Sequence, residues 1–205
     1  MAQYAVPIQD DVITTWENTA DTTTDLYTYI DNGIDGGSPG PVGSGIKGDN
    51  SPPAYSDNDV YVSKLTSLTD PESSSDHTLK YIIGAGGFWF GGNKPSVSVE
   101  IASGTGNSTV IASSFHEFEP GGSQVSGTFS LTLSAAEADS ITDYSSLYFR
   151  TSGNTQGGSY QVYVWEAEFQ VPDEPPPPVP AAESDFMRIE NGCMSDFRGM
   201  VNIRG

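Results

Sequence analysis

Short runs that alternate apolar and polar residues, each closed by glycine-rich turn formers, recur along the chain as far as Val171. A period of two places successive side chains on opposite faces of an extended backbone, so this rhythm demands strands with one buried face. The early runs are "DVITTW" (Asp11 to Trp16), "LYTYID" (Leu26 to Asp31), "VYVSKL" (Val60 to Leu65), "TLKYIIG" (Thr78 to Gly84) and "SVSVEIA" (Ser96 to Ala102). "TVIASSFHEF" (Thr109 to Phe118), "VSGTFSLTL" (Val125 to Leu133), "LYFRTS" (Leu147 to Ser152) and "YQVYVWEAEFQV" (Tyr160 to Val171) follow. In the last run, Tyr163, Trp165, Ala167, Phe169 and Val171 fall on one face, and Glu166, Glu168 and Gln170 on the other. This predicts a dry face and a wet one. Between the runs, "DNGIDGG", "GAGG", "GTGN", "EPGGS" and "GNTQGGS" supply residues that turn the chain at low steric cost. About nine strands of this kind predict an all-β fold, an antiparallel β-sandwich of jelly-roll type.

One helical signal interrupts the pattern. In "SAAEADSITDYSSLYF", Ser134 precedes Glu137 by three residues, a capping box, and Ala135, Ala136 and Ala138 favour a turn or two of helix. It breaks at "TDYSS", which suits a crossover between two sheets.

The sandwich is assigned to residues 1–172, with a Gly/Pro-rich excursion at 31–59 that is too rich in turn formers for a regular element. "PDEPPPPVPA" (Pro172 to Ala181) predicts a stiff polyproline spacer over 173–182. Residues 183–205 then mix Phe186, Met187, Ile189, Met194, Phe197, Met200, Val201 and Ile203 with Arg188, Arg198 and Arg204. So short a segment cannot bury those side chains against itself, and docking on another subunit resolves the exposure. These eleven residues are the predicted assembly interface.

Charge separates the same two parts. The chain carries 27 acidic and 8 basic side chains, a formal net charge of −19, and 23 of the acids with 5 of the bases lie in residues 1–182. Such a body repels nucleic-acid phosphate and argues against DNA or RNA as a partner. No apolar run reaches the roughly 18 residues that a membrane helix needs, so no membrane partner is expected. "MAQYAVPIQDDVITTW" lacks a basic region followed by a continuous apolar stretch, and synthesis and use from a cytoplasm is the expectation. Cys193 is the one cysteine, so neither an internal disulfide nor a cysteine-based zinc site is available.

Three groups of residues invite a chemical reading. His77, beside Asp70, Glu72 and Asp76 in "DPESSSDH", and His116 in "SSFHEF" are the two imidazoles. A metal pair or a Ser-His-Asp triad can be drawn from them, yet neither shows a diagnostic spacing or a nucleophile elbow. The first reads better as a turn whose Asp and Ser side chains bind nearby amides, and His116 is placed by alternation on the face that carries Phe118. The acidic pairs Asp10, Asp11 and Asp57, Asp59, with Asn58, offer oxygen ligands for calcium but lack EF-hand spacing, which favours solvated loops. Phe88, Trp89 and Phe90 between glycine pairs form an aromatic triplet suited to core packing, a subunit contact or stacking on a sugar ring. No catalytic residue, metal ligand or cofactor is assigned.

The segments "ITTWENTADTTTDLYTYIDNGI", "VYVSKLTSLTDPESSSDHTLKYIIG", "VEIASGTGNSTVIASSFHEF" and "LTLSAAEADSITDYSSLYFR" together resemble a family of small β-sandwich structural proteins encoded by tailed bacteriophages. The likeness covers most of Ile13 to Arg150, and "LTDPESSSDHTLKY" and "SAAEADSITDYSSL" carry it most specifically. It implies a virion component with no catalytic residues, made in the host cytoplasm. The resulting expectation is a capsid decoration, cement or head-spike protein, an oligomer attached through its C-terminal segment to the major capsid protein or other virion subunits. The alternative is a tail-fibre or tail-tip module that binds host surface glycan through Trp89 and its neighbours. The Gly/Pro-rich loop and everything after Pro172 depart from shorter family members.

Overall fold

The computed structural model describes residues 2–14, 16–18, 22–30, 45–48, 59–88, 94–104, 109–119, 121–154 and 159–173. They belong to one compact unit, Met1–Pro175; residues 176–205 form a second unit that lies outside the described residues, as do the polyproline spacer from 174 onward and the predicted assembly interface. No helix among the described residues is long and apolar enough to cross a membrane.

Eleven strands are described: β1 (Gln3–Ala5), β2 (Pro7–Ile13), β3 (Trp16–Asn18), β4 (Ile46–Gly48), β5 (Asp59–Leu65), β6 (Thr78–Phe88), β7 (Ser96–Ser103), β8 (Thr109–Glu117), β9 (Val125–Thr132), β10 (Leu147–Asn154) and β11 (Ser159–Val171). One sheet runs β3-β4-β11-β6-β9, with β1 also on β11, and the other runs β2-β5-β10-β7-β8. Every pairing is antiparallel. Strands β4 to β11 trace the eight-strand jelly roll, with β4-β11-β6-β9 against β5-β10-β7-β8. Of the remaining three, β2 and β3 extend its edges and β1 pairs with the end of β11. The core between the layers contains Trp16, Tyr61, Leu79, Tyr81, Phe149 and Phe169, all fully buried. Alternation does what the sequence predicts in β10, where Leu147, Phe149, Thr151 and Gly153 point inward. The one polar member, Thr151, donates its hydroxyl to the Ser98 carbonyl at 3.0 Å and so enters the core without an orphaned group.

The predicted crossover is the short helix α1 (Ala135–Asp139), which carries the chain from β9 in one sheet to β10 in the other. Its capping box is complete: the Glu137 amide donates to Ser134 Oγ at 3.4 Å, and the Ser134 amide donates to Glu137 Oε2 at 2.7 Å.

Four readings of the sequence are corrected. "LYTYID" is no strand: Leu26–Tyr29 form a 3-10 turn whose first free amides are taken by a side chain from β2. The excursion 31–59 contains a regular element after all, because β4 inserts between β3 and β11 and buries Ile46. "GAGG" does not turn the chain but lies within β6. In β11 a bulge between Val164 and Glu166 shifts the alternation by one residue. Before it Val162 and Val164 face the core; after it Ala167, Phe169 and Val171 do. Tyr163 and Trp165 therefore leave the predicted dry face, and the predicted wet face is not wet, since Glu166 and Glu168 are 6% and 4% exposed.

Candidate functional site

The loop between β5 and β6 is organised by its own side chains. Asp70 Oδ1 accepts the Glu72 amide at 2.8 Å, and Ser73 Oγ accepts the Ser75 amide at 3.2 Å. Glu72 and Asp76 adopt left-handed backbone, φ 49° and 60°, which turns the chain sharply and sends His77 inward. The imidazole is fully buried. Its Nδ1 lies 2.8 Å from the Ser75 carbonyl, which can only accept, so Nδ1 carries a proton. Its Nε2 then accepts from the Tyr144 hydroxyl at 2.7 Å. Around this pair the Leu133 amide donates to the His77 carbonyl at 2.9 Å, and the Leu68 amide donates to the Tyr144 carbonyl at 3.2 Å. The β5–β6 loop, the end of β9 and the α1–β10 connection are thus tied at one point, immediately before Thr78 opens β6.

Beside Tyr144 lies a cleft of about 300 Å³ lined by Asp70, Glu72, Ser73 and Ser74 of the β5–β6 loop, Ala138 and Asp139 of α1, and Ile141. Burial, then the charges of Asp70 and Asp139, push the Tyr144 hydroxyl up to about 12, which keeps it a donor to His77 throughout the neutral range. The cleft is acidic. Among the described residues, however, no group of three or more His, Cys, Asp or Glu is placed to hold a metal ion. With both ring nitrogens bonded inside the protein and no exposed surface, His77 cannot take a proton from a substrate.

His116 is half-buried where the edges of the two sheets meet, and its partners gather on one ring nitrogen. Its Nε2 lies 2.9 Å from the Tyr81 hydroxyl and 3.1 Å from Ser114 Oγ, and its ring sits 4.1 Å from that of Phe129. Phe118 packs edge-on against Phe129 at 6.5 Å, so alternation placed His116 and Phe118 on their shared face correctly. Burial holds the His116 imidazole below its ordinary value of 6.5. The two histidines lie in separate clusters.

Asp10 has a structural duty. Its Oδ2 accepts the Leu26 amide at 2.8 Å, and its Oδ1 accepts the Tyr27 amide at 2.9 Å and the Tyr61 hydroxyl at 2.8 Å. These bonds cap the 3-10 turn from outside, so Asp10 is a packing residue of β2 where the sequence favoured a solvated loop. Of the second acidic group, Asp57 and Asn58 lie outside the described residues.

The arrangement least visible in the sequence is on the outer face of the β4-β11-β6-β9 sheet. Tyr163 and Trp165 stack with ring centroids 5.2 Å apart and planes 13° apart. They lie over positions that only glycine permits. A Cβ on Gly84 would come within 3.0 Å of the Trp165 ring and 2.0 Å of the Val125 carbonyl, and one on Gly86 would approach the Tyr163 ring at 3.2 Å. Gly45, at φ 131° and immediately before β4, makes the same allowance beside Trp165. The usable signal is "GAGG" inside an apolar run, since a glycine within a strand pattern marks a bulge or a close approach of neighbouring atoms. Trp165 is 5% exposed, so this stack is packing and not an open surface for a ligand.

Of the predicted aromatic triplet, Phe88 ends β6 opposite Ser159, and Trp89 and Phe90 lie outside the described residues.

No protein-family model and no curated protein matches the chain. Among solved structures it is similar to the CBM36-1 domain of a multidomain xylanase from the hindgut metagenome of Trinervitermes trinervoides, at 8% identity and a TM-score of 0.40 over 83% of this chain and 97% of that one. A cyclase from Fischerella sp. TAU matches at 15% identity and a TM-score of 0.37 over 84% and 91%. At these scores the likenesses assign neither family nor function.

Proposed function

We propose that this chain is a structural protein of a tailed-bacteriophage virion, a capsid decoration or cement protein or head spike, whose sandwich is the displayed body and whose residues 183–205 are the attachment. The observation that carries this reading is topological. Among the described residues the eight strands of the jelly roll end at Val171, and Phe186, Ile189, Phe197 and Ile203 follow it in the sequence. Those side chains then serve contacts with other virion subunits, the major capsid protein first among them. Chemistry supports the same reading: a body with 23 acids and 5 bases repels its copies, and a nearly neutral apolar segment provides attraction where attachment needs it. The chain is non-catalytic on this reading, which is supported by a His77 bonded internally at both ring nitrogens and a His116 bonded at Nε2. It is made in the host cytoplasm and ends in the virion. The glycan-binding alternative rests on Trp89 and gains no support from the described residues.

The test is particle assembly with the full chain and with a chain ended after Pro180. The shortened chain is expected to keep the far-ultraviolet circular dichroism of a β-sandwich and to be missing from purified particles. Incorporation at the full-length level would overturn the proposal.

A further inference from the structure

One flank of the sandwich has almost no charge on its strands, although α1, with Glu137 and Asp139, packs beside β8. It is made by β8 and β9, the edge strands of the two sheets, whose sequences "TVIASSFHE" and "VSGTFSLT" hold one carboxylate, Glu117, and no Lys or Arg. In a chain of net charge −19 this is a marked depletion. The connection between the two strands holds Glu119, which is ion-paired with Lys94. The opposite flank is built differently: β2 presents Asp10 and Asp11, and β3 and β4 present Glu17 and Lys47.

Within this flank β8 is the strand fitted to a partner. It pairs with β7 along one side, and among the described residues no strand pairs along its other side, the arrangement that leaves edge donors and acceptors for a partner. The bulge between Ile101 and Ala102 of β7 disturbs pairing only near Ile111, leaving Ala112 to Glu117 in unbroken register with Ser96 to Ile101. Proteins usually defend such an edge with Lys, Pro or a central bulge. This segment has none of them. On its outward face Phe115 is 62% exposed, the most exposed large apolar side chain among the described residues.

We infer that β8 is a lateral contact between copies of this chain, an antiparallel pairing of the Ala112 to Glu117 edge with the same edge of a second copy around a two-fold axis. Charge selects a like copy: two chains of net −19 repel over most of their surface, and this flank is where they approach at the smallest electrostatic cost. A strand edge recognises another strand edge through the same main-chain hydrogen bonds that build a sheet, and a two-fold axis makes one patch self-complementary. Pairing centred on Ser114 sets Phe115 of each copy beside Ser113 of the other and covers both rings. The contact is distinct from attachment through residues 183–205, and either can exist without the other.

Sedimentation of the full chain over a concentration series, with Phe115→Glu and Ile8→Glu as variants, tests this. Ile8 is 42% exposed on the opposite edge strand and controls for an added charge. The expected result is a wild-type chain that moves from 21.7 kDa toward twice that mass, an unchanged Ile8→Glu, and a Phe115→Glu that stays monomeric with unaltered circular dichroism. Amide exchange in Ala112 to Glu117 should slow as wild-type concentration rises. A wild-type chain that is monomeric throughout, or association that survives Phe115→Glu, overturns the inference. So does association that Ile8→Glu abolishes equally, or that disappears only when residues after Pro180 are removed.

Discussion

The Tyr144 hydroxyl meets Nε2 of the fully buried His77 at 2.7 Å and joins the β5–β6 loop to the segment that leads into β10. Because the acceptor is sealed from water, losing its donor costs more than the bond itself contributes. Tyr144→Phe keeps the ring and removes only the hydroxyl. It should lower unfolding free energy by about 1–3 kcal/mol in urea, with no change in the denaturant slope. A loss below about 0.5 kcal/mol would mean that water reaches His77 and that the joint is looser than its geometry.

His116 gives stability a pH dependence of defined sign. Its folded-state value is depressed by burial, so the unfolded chain binds the proton first as pH falls. The stability linked to this group is complete above about 6.5, the ordinary histidine value, and declines as pH drops from there through the folded value. His116→Gln should flatten that part of the wild-type profile of unfolding midpoint against pH. An identical slope in the two proteins would remove His116 as the source.

Gly84→Ala places a methyl group against the Val125 carbonyl and the Trp165 ring, at 2.0 and 3.0 Å. The carbonyl belongs to the strand paired with β6 and cannot move aside alone. Overpacking of this kind costs typically about 1–3 kcal/mol, and here the backbone clash argues for the upper end. Thermal unfolding measures it, and near-ultraviolet circular dichroism should report the displaced Trp165. Gly121→Ala, which meets nothing within 4 Å, is the matched control.

Asp10→Ala withdraws the acceptor from the Leu26 and Tyr27 amides and the Tyr61 hydroxyl together. Hydrogen bonds to a charged group are worth about 1.5–3 kcal/mol, so a loss of about 3 kcal/mol is expected for the set. Since the carboxylate is spent on these donors, added calcium should leave the wild-type unfolding midpoint unchanged. A calcium-dependent rise that Asp10→Ala abolishes would restore the cation reading.

Ser134→Ala isolates the capping box. The hydroxyl accepts the Glu137 amide and donates to Glu137 Oε2, and this second bond, followed by the one from the Ser134 amide, holds the Glu137 carboxyl below its usual range. Removing an N-cap of this type costs about 1 kcal/mol, measurable as a shift in urea midpoint. A neutral result would place the crossover's stability in Ala138 and Ile141, which it buries against the core.

Period-two alternation, the Ser134–Glu137 spacing and the contrast between an acidic body and an apolar, nearly neutral terminus are written in the chain order, because each depends on neighbours a few residues apart. From them the all-β sandwich, the crossover helix and the shared face of His116 and Phe118 could be read directly. The rest was decided by residues far apart in sequence. Asp10 made a turn of Leu26–Tyr29 by capping it across 16 positions, and Tyr144 reached His77 across 67. A bulge exchanged the faces of β11, and the Tyr163–Trp165 stack kept Gly84 and Gly86 inside a strand. The flank with almost no charge on its strands exists only because the fold sets β8 and β9 side by side at the sheet edges. Local patterns specify which residues seek burial, but only the closing of two sheets over one core determines which partner each one finds.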